Sequence, residues 1–132
     1  MTDSQRRPTL QAILALDSAT CVVMGILLIS VPGPVEKLTG IPEPLLFWAG
    51  VVLLPIAALM AIFARATMVP SWATQIIVTG NVLWALASVI LPLAGLISPN
   101  GLGWLFLLMQ AAVVVLFAGL ELTAGQRAPV VA

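Results

Sequence analysis

Residues Leu10 to Val31 read Leu10-Gln11-Ala12-Ile13-Leu14-Ala15-Leu16-Asp17-Ser18-Ala19-Thr20-Cys21-Val22-Val23-Met24-Gly25-Ile26-Leu27-Leu28-Ile29-Ser30-Val31, an apolar stretch with a single acid in it. As a helix rising about 1.5 Å per residue, such a stretch crosses the roughly 30 Å hydrocarbon core of a bilayer. An acid near the middle of a spanning helix costs about 2.5 to 3.5 kcal/mol on insertion scales. Asp17 is therefore expected to face protein or a water-filled cavity, and an intramembrane acid is a functional candidate by default.

Working outward, the rest of the chain has the same character. Of 132 residues, 61% are hydrophobic and 8% charged, against about 25% charged in an ordinary soluble domain. That composition predicts a membrane protein. Five basic and five acidic residues cancel, and most fall at the chain ends or in short connections. There is no basic face for nucleic acid, so nucleic-acid binding is set aside. The length suits one transmembrane domain over residues 1–132, with no room for a separate soluble domain.

Four spans follow from the pattern, at about 10–31, 45–64, 72–97 and 102–122, so the expected fold is all-α, a four-helix transmembrane bundle. Pro32-Gly33-Pro34 ends the first span and Arg65 the second. Ser98-Pro99-Asn100-Gly101 is the turn after the third, and Gly125-Gln126-Arg127 returns the chain to water. The first run, preceded by Arg6 and Arg7, also has the flank of a signal peptide, but it exceeds the 7 to 15 or so residues of such an apolar region and no small-residue cleavage site follows. Arg6, Arg7, Arg65 and Arg127 lie on one side of a four-span chain and only Lys37 on the other. The excess predicts both termini in the cytoplasm.

The first connection, Pro34-Val35-Glu36-Lys37-Leu38-Thr39-Gly40, has Pro near a helix start and Gly just past an end, and predicts one short interfacial helix. Val35 and Leu38 would face lipid or the bundle and Glu36 and Lys37 water. It reads either as a lid over the outer end of the bundle or as a segment resting on the headgroups. Trp48, Trp72 and Trp104 lie near span ends, where interfacial aromatics sit.

Counting residues from the cytoplasmic end of each span puts Asp17 about 11 Å deep, Asn81 about 14 Å, Gln110 about 18 Å and Pro55 about 14 Å. Four helices thus contribute a polar or helix-distorting residue to one slab. In lipid an unpaired amide or carboxyl costs several kcal/mol, so these groups are expected to bond one another, with the carbonyl of Val51, freed by Pro55, as a further acceptor. Two uses of the layer stand side by side. In one, Asp17 bonds Asn81 and Gln110 and fixes which helix faces meet, at about 0.6 to 2 kcal/mol per bond. In the other, the same groups line a cavity where Asp17 takes a cation, a proton or a polar head. Glu121 and Arg65 are expected to snorkel to the cytoplasmic surface.

Small residues four apart predict close helix packing at Ala15 with Ala19, Ala57 with Ala61, and Gly80 with Trp84 one turn on. The two halves also echo one another: Asp17 and Asn81 in the first helix of each pair, Trp48 and Trp104 early in the second, then Pro55 and Gln110.

Several chemistries lack their residues. With no histidine, bis-histidine haem, histidine-liganded metal and Ser-His-Asp hydrolysis are absent from this chain. A single cysteine, Cys21, forms no intrachain disulfide, and one turn from Asp17 it reads as an inert core residue. No catalytic residues, metal or cofactor are expected, and no self-sufficient enzyme.

Leu14-Ala15-Leu16-Asp17, Leu38-Thr39-Gly40-Ile41-Pro42, Ala49-Gly50-Val51-Val52-Leu53-Leu54-Pro55 and Gly80-Asn81-Val82-Leu83-Trp84-Ala85-Leu86-Ala87-Ser88 together make the chain resemble the small four-span integral membrane proteins widespread in bacteria and, more loosely, the DoxX-like four-helix membrane proteins. The resemblance implies a bacterial inner-membrane location and no particular chemistry. Small multidrug transporters are similar in architecture alone: their first-span acid is a glutamate, and the charged loop that follows has no counterpart here. The expected role is a non-enzymatic accessory or ligand-binding membrane component with a polar layer at Asp17, Asn81, Gln110 and Pro55. The alternative is a minimal homo-oligomeric transporter or channel using Asp17 as a proton or cation site. The expected partners are the lipid bilayer and a second copy or another membrane protein.

Overall fold

A computed structural model describes residues 9–127 and is all-helical over them, with five helices and no strand. We label them α1 (Leu10–Ser30), α2 (Pro32–Thr39), α3 (Glu43–Ala64), α4 (Ser71–Leu93) and α5 (Gly101–Arg127). α1, α3, α4 and α5 are long and apolar enough to cross a membrane. Arg6 and Arg7 lie outside the described residues.

Local sequence sets the helix ends. Thr9 caps α1, its hydroxyl accepting from the Ala12 N–H at 3.1 Å. Val31 then leaves helical geometry (φ −134°) and α2 begins at once on Pro32, so Pro32-Gly33-Pro34 is the first turn of a new helix rather than a loop. Gly40 closes α2 in the left-handed conformation (φ 75°), which costs a glycine little. Val35 packs against the core and Leu38 points outward. Glu36, expected to face water, is half-buried: its carboxylate accepts from the Glu43 N–H at 2.5 Å and caps α3, a role that Pro42 at the N-cap cannot fill.

Two span ends differ from expectation. α4 stops at Leu93 rather than near Ile97, because Pro92 lies in its last turn and Gly95 takes a left-handed conformation (φ 76°) that reverses the chain. α5 runs on past Leu122 to Arg127. The extra turn holds because Ala124 is buried and Gly125 lies against Thr74 of α4, where an added Cβ would come within 3.0 Å of the Thr74 methyl.

Buried positions recur at helical spacing: Leu10, Leu14, Asp17, Cys21 and Leu28 on α1, and Leu46, Gly50, Leu53, Ala57 and Met60 on α3. The alternating three- and four-residue steps on α3 keep one seam facing α1 along its length. The two tightest pairings are α1 with α3 and α4 with α5, the halves between which the sequence echo runs. At the α1–α3 crossing Gly25 and Gly50 meet face to face, and a Cβ on Gly50 would lie 2.8 Å from the Gly25 carbonyl oxygen. Of the predicted small-residue faces, that of Ala57 lies in this seam, buried against α1 where Ser18 reaches its carbonyl, and the other two do not. Ala15 and Ala19 are exposed, and a Cβ on Gly80 would meet nothing within 4 Å.

The halves join at their ends. Asn100 donates from its backbone to Thr39 O and from its amide to Leu38 O, both at 2.9 Å, and its Oδ1 accepts from the Gly103 N–H. At the other end Gln11 donates to Thr67 O at 3.2 Å, and Phe63 and Trp72 meet edge to face. Away from that end α3 and α4 diverge and make no extensive contact.

Candidate functional site

Three helices bring polar side chains to one buried point. Asp17 occupies the seam of α1 between Leu14 and Cys21, and Asn81 lies on the α4 face that also buries Thr74, Ile77 and Ala85. Glu121 lies between Ala118 and Ala124 on the inner face of α5. Asp17 is 1% exposed, Asn81 7% and Glu121 0%. The Asn81 amide nitrogen spends both hydrogens here, donating to Asp17 Oδ2 at 3.0 Å and to Glu121 Oε1 at 2.8 Å. The Cys21 thiol donates weakly to Asp17 Oδ1 at 3.7 Å.

Glu121 was expected at the surface and is instead fully enclosed. The reason is the extra length of α5: Arg127 lies six residues beyond it, about 9 Å along the axis, and the inward stripe Leu107, Ala111, Ala118, Glu121, Ala124 carries the acid into the centre. The sequence signal was the acid between Leu120 and Leu122, at helical register with Ala111 and Ala118. With the chain expected to return to water at Gly125-Gln126-Arg127, that acid falls at a span end and reads as a surface group.

The other expected members of the layer lie elsewhere. Gln110 does not reach Asp17; its Oε1 accepts from the Trp84 indole N–H at 2.9 Å. Pro55 is exposed on the outer face of α3, which continues through it. The polar link between α1 and α3 is Ser18, whose hydroxyl donates to the Ala57 carbonyl at 2.8 Å.

Two carboxyl groups against one amide constrain the chemistry. Glu121 Oε2 is buried and meets no protein donor among the described residues. The carboxyls of Asp17 and Glu121 are held on the same amide nitrogen, Asp17 Oδ2 at 3.0 Å and Glu121 Oε1 at 2.8 Å, and an ionised carboxylate only accepts, so neither can satisfy the other. Two bare negative charges on one amide and out of water would repel, with only the Asn81 donor and a weak thiol contact to offset them. The arrangement thus ties acids from the two helix pairs to one amide and leaves Glu121 Oε2 as an unanswered buried acceptor among the described residues.

Beyond this layer the splayed pairs leave two apolar clefts. One, about 310 Å³, lies between α3 and α4, with Leu46, Val52, Trp84, Leu91, Phe106 and Gln110 in its walls. The second, about 300 Å³, lies on the α1–α5 side, with Cys21, Met24, Met109 and Val113, and again Trp84, Phe106 and Gln110. The hydrogen-bonded Trp84–Gln110 pair stands between them.

Comparison of the chain with family models, with curated proteins and with solved structures gave no match.

Proposed function

We propose that this chain is a small multi-pass protein of the bacterial inner membrane, with both termini cytoplasmic, acting as a non-enzymatic accessory or ligand-binding component. In this reading Asp17, Asn81 and Glu121 lock the two helix pairs together at one register. The observation that carries it is the sealing of the carboxyls: Asp17 and Glu121 are 1% and 0% exposed, and both bond the one amide of Asn81. A site that exchanged solute with water would leave such groups accessible, whereas a lock must exclude competing water. The basic residues support the orientation, with Arg65 and Arg127 on the side of the termini and Lys37 opposite.

The test compares Asp17→Leu with Asp17→Asn in detergent. Leucine removes the bonds to Asn81 and Glu121 and should lower unfolding stability by about 1 to 3 kcal/mol, while asparagine, which still offers an acceptor, should lose less than half of that. Equal stability of wild type and Asp17→Leu would overturn the lock.

One observation favours a second reading, a homo-oligomeric transporter or channel that uses Asp17 as a proton site: beside the Asp17–Asn81 bond, the buried Glu121 Oε2 has no protein donor among the described residues. Under it, Asp17→Asn abolishes pH-driven proton flux in reconstituted vesicles while the protein stays folded. Absence of any flux with the wild-type protein would remove this reading and leave the first standing.

A further inference from the structure

We propose that the paired clefts around Trp84 and Gln110 form a binding site for a membrane-soluble molecule that is mostly hydrocarbon and carries an acceptor oxygen, such as a carbonyl, within its apolar body. The site rests on the membrane placement proposed above and is independent of the Asp17 lock.

The chemistry starts from one hydrogen bond. An indole N–H only donates, so the Gln110 atom 2.9 Å from Trp84 Nε1 is the carbonyl oxygen, and the orientation of the amide is set. The amide nitrogen is turned away from Trp84 and has no protein acceptor among the described residues. Gln110 borders both clefts, and the rest of their walls is almost wholly carbon. A donor in such walls is costly to leave unmet, and an acceptor arriving with an apolar molecule satisfies it. Cavities of about 310 and 300 Å³ fall within the size range of small-molecule sites, about 300 to 1,000 Å³, and their pattern of apolar walls with a single directing polar group is the usual one.

Depth selects the class of occupant. Gln110 lies six residues further along α5 than Trp104, about 9 Å along the axis. Trp104 is at the helix start, where aromatic residues sit at headgroup level. Phospholipid ester carbonyls lie at that boundary, so a phospholipid chain entering the cleft would present only methylene groups to Gln110. An acceptor that meets the amide must be carried deeper, inside the apolar part of the molecule. Trp84 and Phe106 line both clefts together with Gln110 and add aromatic surface to their walls.

The experiment uses the full-length protein in phosphatidylcholine vesicles with a symmetrical long-chain ketone, carbon-13-labelled at its mid-chain carbonyl, followed by infrared spectroscopy. The expected result is a hydrogen-bonded ketone band that saturates with added ketone. Gln110→Met, which keeps the volume and removes the donor, should weaken ketone binding about tenfold. Ala87→Trp fills the first cleft from its exposed wall and should abolish the band there with Gln110 intact. No shifted band with the wild type, or the same band in both variants, overturns the proposal. So does a shifted band from ester-labelled phosphatidylcholine that disappears in Gln110→Met, since ordinary phospholipid would then be the occupant. If Gln110→Met does not fold, the wild type and Ala87→Trp decide. Vesicle flotation separates the two failures: protein that does not float with the vesicles overturns the membrane placement, and protein that floats without the band overturns the site alone.

Discussion

Asn81 is the residue on which the buried layer depends, because its amide nitrogen is the shared donor to Asp17 and Glu121. Asn81→Leu leaves both acids without that donor in an apolar interior, and the cost is their desolvation rather than the worth of two bonds. The expected loss is about 2 to 4 kcal/mol in a reversible unfolding titration, larger than for Asp17→Leu. A change below about 0.5 kcal/mol would mean that the acids find other partners. Glu121→Gln places a second amide in the same space and removes a carboxyl from the pair. It should leave stability within about 1 kcal/mol of wild type, read in the same titration, because Gln keeps an acceptor for Asn81. The sequence exposed Asp17 and Asn81 readily, as polar residues in apolar runs. It hid Glu121, since an acid six residues before an arginine at the end of an apolar run looks like a surface group until the helix is known to continue.

At the scale of elements, the α1–α3 crossing is governed by two glycines. A methyl at Gly50 would lie 2.8 Å from the Gly25 oxygen, 2.9 Å from Ile29 Cγ1 and 3.0 Å from Leu28 Cβ. The backbone carbonyl cannot move aside, so the helices must separate. Gly50→Ala should cost about 1 to 3 kcal/mol by overpacking. Gly119→Ala, on α5, meets nothing within 4 Å and should be neutral or stabilising by up to about 1 kcal/mol, since glycine is a poor residue for a helix interior. Thermal unfolding of the two variants in one detergent checks the pair; equal effects would contradict the crossing geometry. Small-residue spacing in the sequence did not single out these glycines, because alanines and glycines four apart are abundant in every span. What matters is which of them face another helix, and a single helix does not contain that information.

For the molecule as a whole, the proposed topology makes a prediction of its own. Cys21 is the sole cysteine and is buried, so a Cys21→Ser background allows single cysteines to report sidedness. Lys37→Cys, exposed in α2, should react with a membrane-impermeant maleimide on intact cells stripped of their outer membrane. Thr67→Cys, exposed in the α3–α4 connection, should react only after lysis. The opposite pattern would invert the orientation, and labelling of both before lysis would contradict a four-span arrangement.

Apolar composition and the spacing of prolines and glycines were enough for the all-helical character of the described residues with their four long apolar helices, for the short helix after the first, and for the expense of Asp17. These are one-dimensional properties: the length of an apolar run, the missing N–H of proline, the desolvation of an acid. The partners were decided in three dimensions. Depth along a helix gave Asp17 and Asn81 a common level and gave Gln110 and Pro55 nearly the same one, yet the rotation of each helix turned Gln110 to Trp84 and Pro55 outward, and the continuation of α5 to Arg127 put Glu121 at depth on its inner face. A residue's level follows from counting. The side it faces depends on how the two helix pairs close upon one another, and only their packing sets that.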